Sequence, residues 1–133
     1  MKMNIKEKHR SIGFLRTFSI LKHMLFPRGY NHIYPADVKS KIESKKDNFI
    51  ILDIRNAYHY NKGHIKNSLS FPFSEFIRTE STELDKDKEI IVTCYGGGLS
   101  KVTSSILAER GFTKVYNMDG GMHAWNYETE ESI

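Results

Sequence analysis

Cys94 is the single cysteine of the chain, and Tyr95-Gly96-Gly97-Gly98-Leu99-Ser100 follows it. Three consecutive glycines let a backbone curl until successive N–H groups point toward one centre. A helix beginning near Leu99 or Ser100 adds unpaired donors and the positive end of its dipole. A sulfur held there is expected to be a thiolate nucleophile with a pKa below that of a free thiol. Cys94 is therefore the candidate catalytic residue. Tyr95, Gly96, Gly97, Gly98, Leu99 and Ser100 are the candidate substrate-binding cradle, and Ser100 offers a hydroxyl besides its amide. A lone cysteine is often only a small buried hydrophobe. Here a strand, the cysteine, a glycine-rich loop and a helix coincide, which favours the reactive reading.

The flanking sequence supplies the elements that would position this loop. Ile90-Ile91-Val92-Thr93 and Phe49-Ile50-Ile51-Leu52 are short apolar runs of the kind found in strands buried on both faces. Ser68–Phe71 and Lys114–Asn117 read as further strands. Helices are expected after Pro35 through about Lys46, with Val38 and Ile42 inward, near Ala57–Asn61, and over Phe73–Thr79. Ser100–Arg110 is expected to turn Val102, Ile106 and Leu107 inward and to end at Gly111, before a last turn at Gly121–Trp125. Asp47-Asn48 reads as a turn and residues 80–89 as a solvated loop. Strands alternating with helices predict an α/β domain over residues 31–127, with a mostly parallel central sheet and helices on both faces. In such sheets ligands gather at the carboxyl ends of the strands, where Cys94 falls.

Composition agrees with one soluble domain. The chain has 133 residues, of which 39% are hydrophobic and 27% charged, and no apolar run approaches the roughly 20 residues of a membrane span. Charge is unevenly placed. Residues 1–30 carry Lys2, Lys6, Lys8, Arg10, Arg16, Lys22 and Arg28 against Glu7, a net +6, while the remainder is net −2. The basic character therefore belongs to the N-terminal extension, and a nucleic-acid partner for the domain is not indicated. Within the extension, Ile12, Leu15, Phe18, Leu21, Met24 and Leu25 recur at helical intervals over residues 11–26, and Pro27 stops the pattern. Three roles fit this stripe: packing on its own domain or on a second copy, lying on an anionic membrane surface, or docking a partner. Residues 128–133 form an acidic tail. No secretion signal is visible, so the expected location is cytoplasmic, with peripheral attachment at the inner face of the membrane open through residues 11–26.

With these residues in view, the chain resembles a single-domain rhodanese-like sulfurtransferase. Leu52-Asp53-Ile54-Arg55, Tyr60 and Gly63-His64-Ile65 resemble the family's first signature. Cys94, Gly97 and Ser100 take the places of its active-site loop, and Gly120-Gly121-Met122-His123-Ala124-Trp125 matches its closing signature. The likeness covers about residues 33–126. It implies transfer of a sulfane sulfur from thiosulfate, a persulfide or a polysulfide, through a Cys94 persulfide, to a thiol or cyanide. No second cysteine can resolve that persulfide, so the acceptor must come from outside. Leu99 stands where the family often has arginine, and Tyr58-His59 replace frequent acidic residues. A persulfide or polysulfide donor suits that less charged mouth better than thiosulfate.

The remaining polar candidates read as support. Asp53 and Arg55 are expected to form a structural ion pair, and His64 to be a structural histidine, because a loop-stabilised thiolate needs no base. Six histidines with no cluster at ligand spacing suggest neither metal nor cofactor. A cysteine phosphatase would need an arginine six residues beyond the nucleophile to grip phosphate; that position is Ser100. The other alternative is a catalytically silent rhodanese-like binding or regulatory module, targeted by its N-terminal helix.

Overall fold

The computed structural model describes residues 19–45, 48–79 and 84–132. A helix over residues 19–25, α1, leads into strand β1 (Asn31–Ile33). There follow α2 (Pro35–Glu43), β2 (Phe49–Asp53), α3 (Ala57–Lys62), β3 (Leu69–Ser70), α4 (Phe73–Phe76), β4 (Glu89–Thr93), α5 (Gly98–Glu109), β5 (Lys114–Met118) and a 3-10 turn, Gly121–Ala124. The five strands form one parallel sheet in the order β1-β5-β4-β2-β3. This is the expected α/β architecture. β1 was not anticipated: its Asn-His-Ile sequence buries only Ile33 and becomes a strand by pairing with Tyr116–Met118.

Side-chain alternation explains the two covered faces. Leu52, Ile90, Val92 and Val115 share one core with Phe76 of α4 and with Val102, Ile106 and Leu107 of α5. Ile33, Ile51, Ile91 and Met118 share the other with Val38 of α2 and Trp125. Adjacent residues of a strand point to opposite faces, so an unbroken apolar run such as Ile90-Ile91-Val92 feeds both cores at once. The chain passes from β2 outward to β3, then crosses back to place β4 on the other side of β2. The order reverses between β2 and β4, and it is beyond the carboxyl ends of strands at such a reversal that parallel sheets gather ligands. The Ile54 amide donates to the Thr93 carbonyl there, at 3.0 Å, which locks the two ends side by side. Half of the expected Asp47-Asn48 turn, and residues 80–83 of the expected 80–89 loop, lie outside the described residues.

The tail is held against the domain. His64 and Glu130 exchange backbone hydrogen bonds at 2.9 and 2.8 Å, and Trp125 Nε1 donates to the Glu128 carbonyl at 3.1 Å.

Helix α1 docks in an unexpected sense. Of the 11–26 stripe, residues 11–18 lie outside the described residues; Leu21, Met24 and Leu25 are exposed, and the buried residue of α1 is His23. His23 Nδ1 is hydrogen-bonded to Ser105 Oγ at 2.7 Å and Nε2 to Glu109 Oε2 at 2.5 Å, while Lys22 Nζ reaches Glu109 at 2.6 Å. The polar side of α1 therefore faces α5, where Ser105 and Glu109 supply its partners.

Lys22 first, then His23, holds the Glu109 carboxyl below its ordinary value of 4.5. A carboxyl depressed in the folded state stabilises this docking above that value and ceases to do so as pH falls through the folded value. Protection of the amides at residues 22–28, measured against the intrinsic exchange rate at each pH, is thus expected to fall several-fold as pH drops below the ordinary carboxylate range, and Glu109→Gln to flatten the dependence.

Candidate active site

Cys94 follows β4 directly and is 2% exposed. The sheet ends at Thr93, the chain turns through Tyr95-Gly96, and Gly97 takes a φ of +93° that begins α5. That left-handed value is open to glycine and strained for other residues. It also lies against backbone: a Cβ on Gly97 would stand 3.0 Å from the Gly120 nitrogen, whereas Gly96 and Gly98 face open space. One glycine of the three thus makes the turn.

The turn brings two amides onto the sulfur. Gly97 N–H donates to Cys94 Sγ at 3.2 Å and Ser100 N–H at 3.3 Å. These are N-terminal amides of α5 without a partner in the helix, so the sulfur acts as their cap. Of the six residues expected to form the cradle, Gly97 and Ser100 carry these two contacts. Ser100 adds a third through its side chain, since Cys94 Sγ–H donates to Ser100 Oγ at 3.3 Å. Tyr95, Gly96, Gly98 and Leu99 shape the rim, with Gly96 and Gly98 exposed and Leu99 partly buried against the core.

Behind Ser100 a polar chain that the sequence did not announce runs from the buried Asn117 out to the surface. The Ser100 hydroxyl donates to Asn117 Oδ1. Asn117 Nδ2 donates to Asp119 Oδ1 at 3.0 Å, and His32 Nδ1 donates to the same oxygen at 2.8 Å. A carboxylate only accepts, so Asp119 fixes the orientation of the Asn117 amide, which in turn directs the Ser100 hydroxyl hydrogen away from the sulfur. Asn117 is fully buried in β5; a polar residue inside an apolar strand was the available signal.

The double glycine of the closing segment supports the loop from below. Met122 N–H donates to the Cys94 carbonyl at 2.8 Å and His123 N–H to the Tyr95 carbonyl at 2.9 Å. This approach leaves no room for a side chain at Gly121, whose φ is +57°: a Cβ there would stand 2.6 Å from the Tyr95 oxygen and 2.7 Å from the Cys94 oxygen. Gly121→Ala is expected to destabilise the protein by about 2–3 kcal/mol and, by displacing the loop, to lower any Cys94-dependent activity about 10-fold. Gly96→Ala, with open space around it, is expected to stay within about 0.5 kcal/mol of the parent. Urea titration of both variants checks the contrast.

The other expected site residues lie at the end of β2 and around α3. Asp53 is fully buried at the end of β2, and Arg55 encloses it: Nε lies 3.1 and 3.2 Å from its two oxygens, Nη2 2.8 Å from Oδ2, and the Arg55 amide 3.1 Å from Oδ1. Arg55 Nη2 also donates to the Gly63 carbonyl at 2.7 Å. His64 donates from Nδ1 to the Tyr60 carbonyl at 2.8 Å and stacks on the Tyr60 ring at 3.9 Å. These contacts tie α3 to β2. At the rim, Tyr95 OH is hydrogen-bonded to His59 Nδ1 at 2.8 Å, and Lys62 Nζ lies 4.6 Å from the centre of the exposed Tyr58 ring.

The family described as Rhodanese-like domain matches residues 34–128. The chain belongs to the rhodanese-like domain family. Among curated relatives, the thiosulfate sulfurtransferase GlpE of Pseudoalteromonas translucida (strain TAC 125) is 35% identical over 104 residues, covering 78% of this chain and 96% of that protein. The putative sulfur carrier protein YrkF of Bacillus subtilis (strain 168) is 29% identical over 131 residues, covering 92% and 70%. A tRNA uridine(34) hydroxylase of Acinetobacter baylyi is 29% identical over 142 residues, which span 100% of this chain and 42% of the hydroxylase. Among solved structures, a rhodanese-like domain protein of Staphylococcus aureus superposes with a TM-score of 0.69 at 26% identity, covering 77% of this chain and 99% of that one. The rhodanese-like domain of an Anabaena protein gives 0.68 at 29%, covering 75% and 78%. The fold and family expected from the motifs are thus established.

Proposed function

We propose that this rhodanese-like protein is a sulfurtransferase in which Cys94 carries the sulfane sulfur as a persulfide. The observation that carries this reading is the convergence of the Gly97 and Ser100 amides on Cys94 Sγ. The Cys94 thiolate attacks the outer sulfur of a donor. A Cys94 S–S bond forms while the donor's own bond to that sulfur breaks. The leaving group takes the bonding pair: sulfite from thiosulfate, a thiolate from a persulfide, a polysulfide shorter by one sulfur from a polysulfide. An acceptor thiolate or cyanide then attacks the terminal sulfur, and the Cys94 thiolate leaves with its pair. No external oxidant or reductant enters, because the transferred sulfur arrives and departs in the same oxidation state. The α5 amides stabilise the negative sulfur without consuming it.

Leu99 packs against the core and offers no guanidinium to grip an oxyanion, and the rim carries the rings of Tyr58, His59 and Tyr95. That rim favours a persulfide or polysulfide over thiosulfate as donor. Intact mass after incubation with thiosulfate and, separately, with polysulfide tests the proposal. Addition of one sulfur atom, reversed by cyanide or by a thiol, is expected, with polysulfide loading faster. No addition from either donor would overturn the reading in favour of a catalytically silent binding module.

A further inference from the structure

Helix α1 turns its apolar side away from the domain it is docked on. His23, 3% exposed, enters the interface with α5, whereas Leu21, Met24, Leu25 and Phe26 are 47%, 57%, 62% and 72% exposed. At about 100° per residue, Leu21 and Leu25 lie nearly opposite His23, with Met24 beside them on the flank. Phe26, its amide donating to the Lys22 carbonyl at 2.9 Å, is exposed as well, on the flank beyond the end of the helix. Docking through ion pairs and hydrogen bonds leaves the outer face free. The Arg28 amide adds to the clamp, donating to Ser105 Oγ at 3.0 Å.

Charge selects the occupant of that face. Residues 1–30 carry seven Lys/Arg against one acid, a net +6, and the rest of the chain is net −2. A symmetric contact with a second copy would bring two such segments together. An anionic lipid surface complements both properties: the headgroups attract the basic residues, and the boundary beneath them takes up apolar side chains. We propose that α1 is an interfacial helix that docks this protein on an anionic lipid surface. Leu21, Met24 and Leu25 enter the headgroup boundary with Phe26 at its edge, and the exposed Arg28 meets the phosphates. No helix among the described residues is long and apolar enough to cross a membrane.

The placement keeps the sulfur site clear. The clamp residues Ser105 and Glu109 stand about 10 and 16 Å along α5 from Gly98, where the helix meets Cys94. Attachment therefore occurs at the end of α5 remote from the cysteine, and the proposal is independent of what Cys94 does.

Sedimentation of the full chain with phosphatidylcholine vesicles, with and without phosphatidylserine, tests this docking. Binding is expected only with phosphatidylserine present, and it should weaken as salt is raised. The double variant Leu25→Ser/Phe26→Ser should partition at least 10-fold less well while keeping the parent circular dichroism, because both side chains are exposed. The proposal is overturned if the parent stays in solution with both vesicle types, or if the double variant binds as well as the parent. A concentration-dependent dimer without lipid, abolished by the same variant, would also overturn it by assigning the face to a second copy.

Discussion

Cys94→Ser is expected to abolish sulfur loading and to lower transfer from thiosulfate or polysulfide to cyanide by at least about 10³-fold. The serine hydroxyl occupies the same place beneath the Gly97 and Ser100 amides, so the loop keeps its cap. An alcohol does not ionise near neutral pH and cannot hold a sulfane sulfur, so the nucleophile alone is lost. The change removes little volume from a site that is 2% exposed, and stability should move by about 1 kcal/mol or less. Steady-state assays beside urea titration separate the two effects. Appreciable residual transfer in this variant would assign the chemistry to another group.

Arg55→Ala is expected to have the largest effect on stability, about 3–5 kcal/mol. Its cause is the partner left behind. Asp53 is 0% exposed, and its two oxygens depend on the Arg55 guanidinium and amide. Removing the guanidinium leaves a buried carboxylate with the Arg55 amide as its remaining partner in this group, and frees the Gly63 carbonyl that fixes the end of α3. Folded domains of this size are stable by only about 5–15 kcal/mol, so the variant should be partly unfolded at growth temperatures. The double variant Asp53→Asn/Arg55→Met removes both charges and is expected to be less destabilised than Arg55→Ala alone. Denaturant midpoints of the two, compared with the parent, decide the matter. The reverse order would mean that the pair acts through something other than its buried charge.

Elements whose signal is local were legible in the sequence. β2, β4 and α5 have apolar runs or stripes that match their burial, and Cys94, Gly97 and Ser100 announced their proximity because a strand, a turn and a helix start fix their spacing. What depends on distant partners was not legible. Asn31–Ile33 is a strand only because Tyr116–Met118 lies beside it. Asn117 stands 17 residues from Ser100, and no local pattern joins them. Helix α1 shows the same limit differently. Periodicity located its stripe, but a helical wheel does not say which side is inside, and Ser105 and Glu109, more than 80 residues away, turn His23 inward.

The Ser100 hydroxyl owns a single hydrogen and has two claimants for it. While Cys94 carries its own proton, that hydrogen goes to Asn117 Oδ1. A sulfur that has lost its proton no longer donates to Ser100 Oγ and competes with Asn117 for the hydroxyl. The Asn117 amide is joined through Asp119 to His32, which is 54% exposed on its side chain. The orientation of a hydroxyl beside the buried sulfur is thereby tied to a ring at the surface. The side-chain resonances of Asn117 and His32 are natural reporters of it, readable by nuclear magnetic resonance without touching the cysteine.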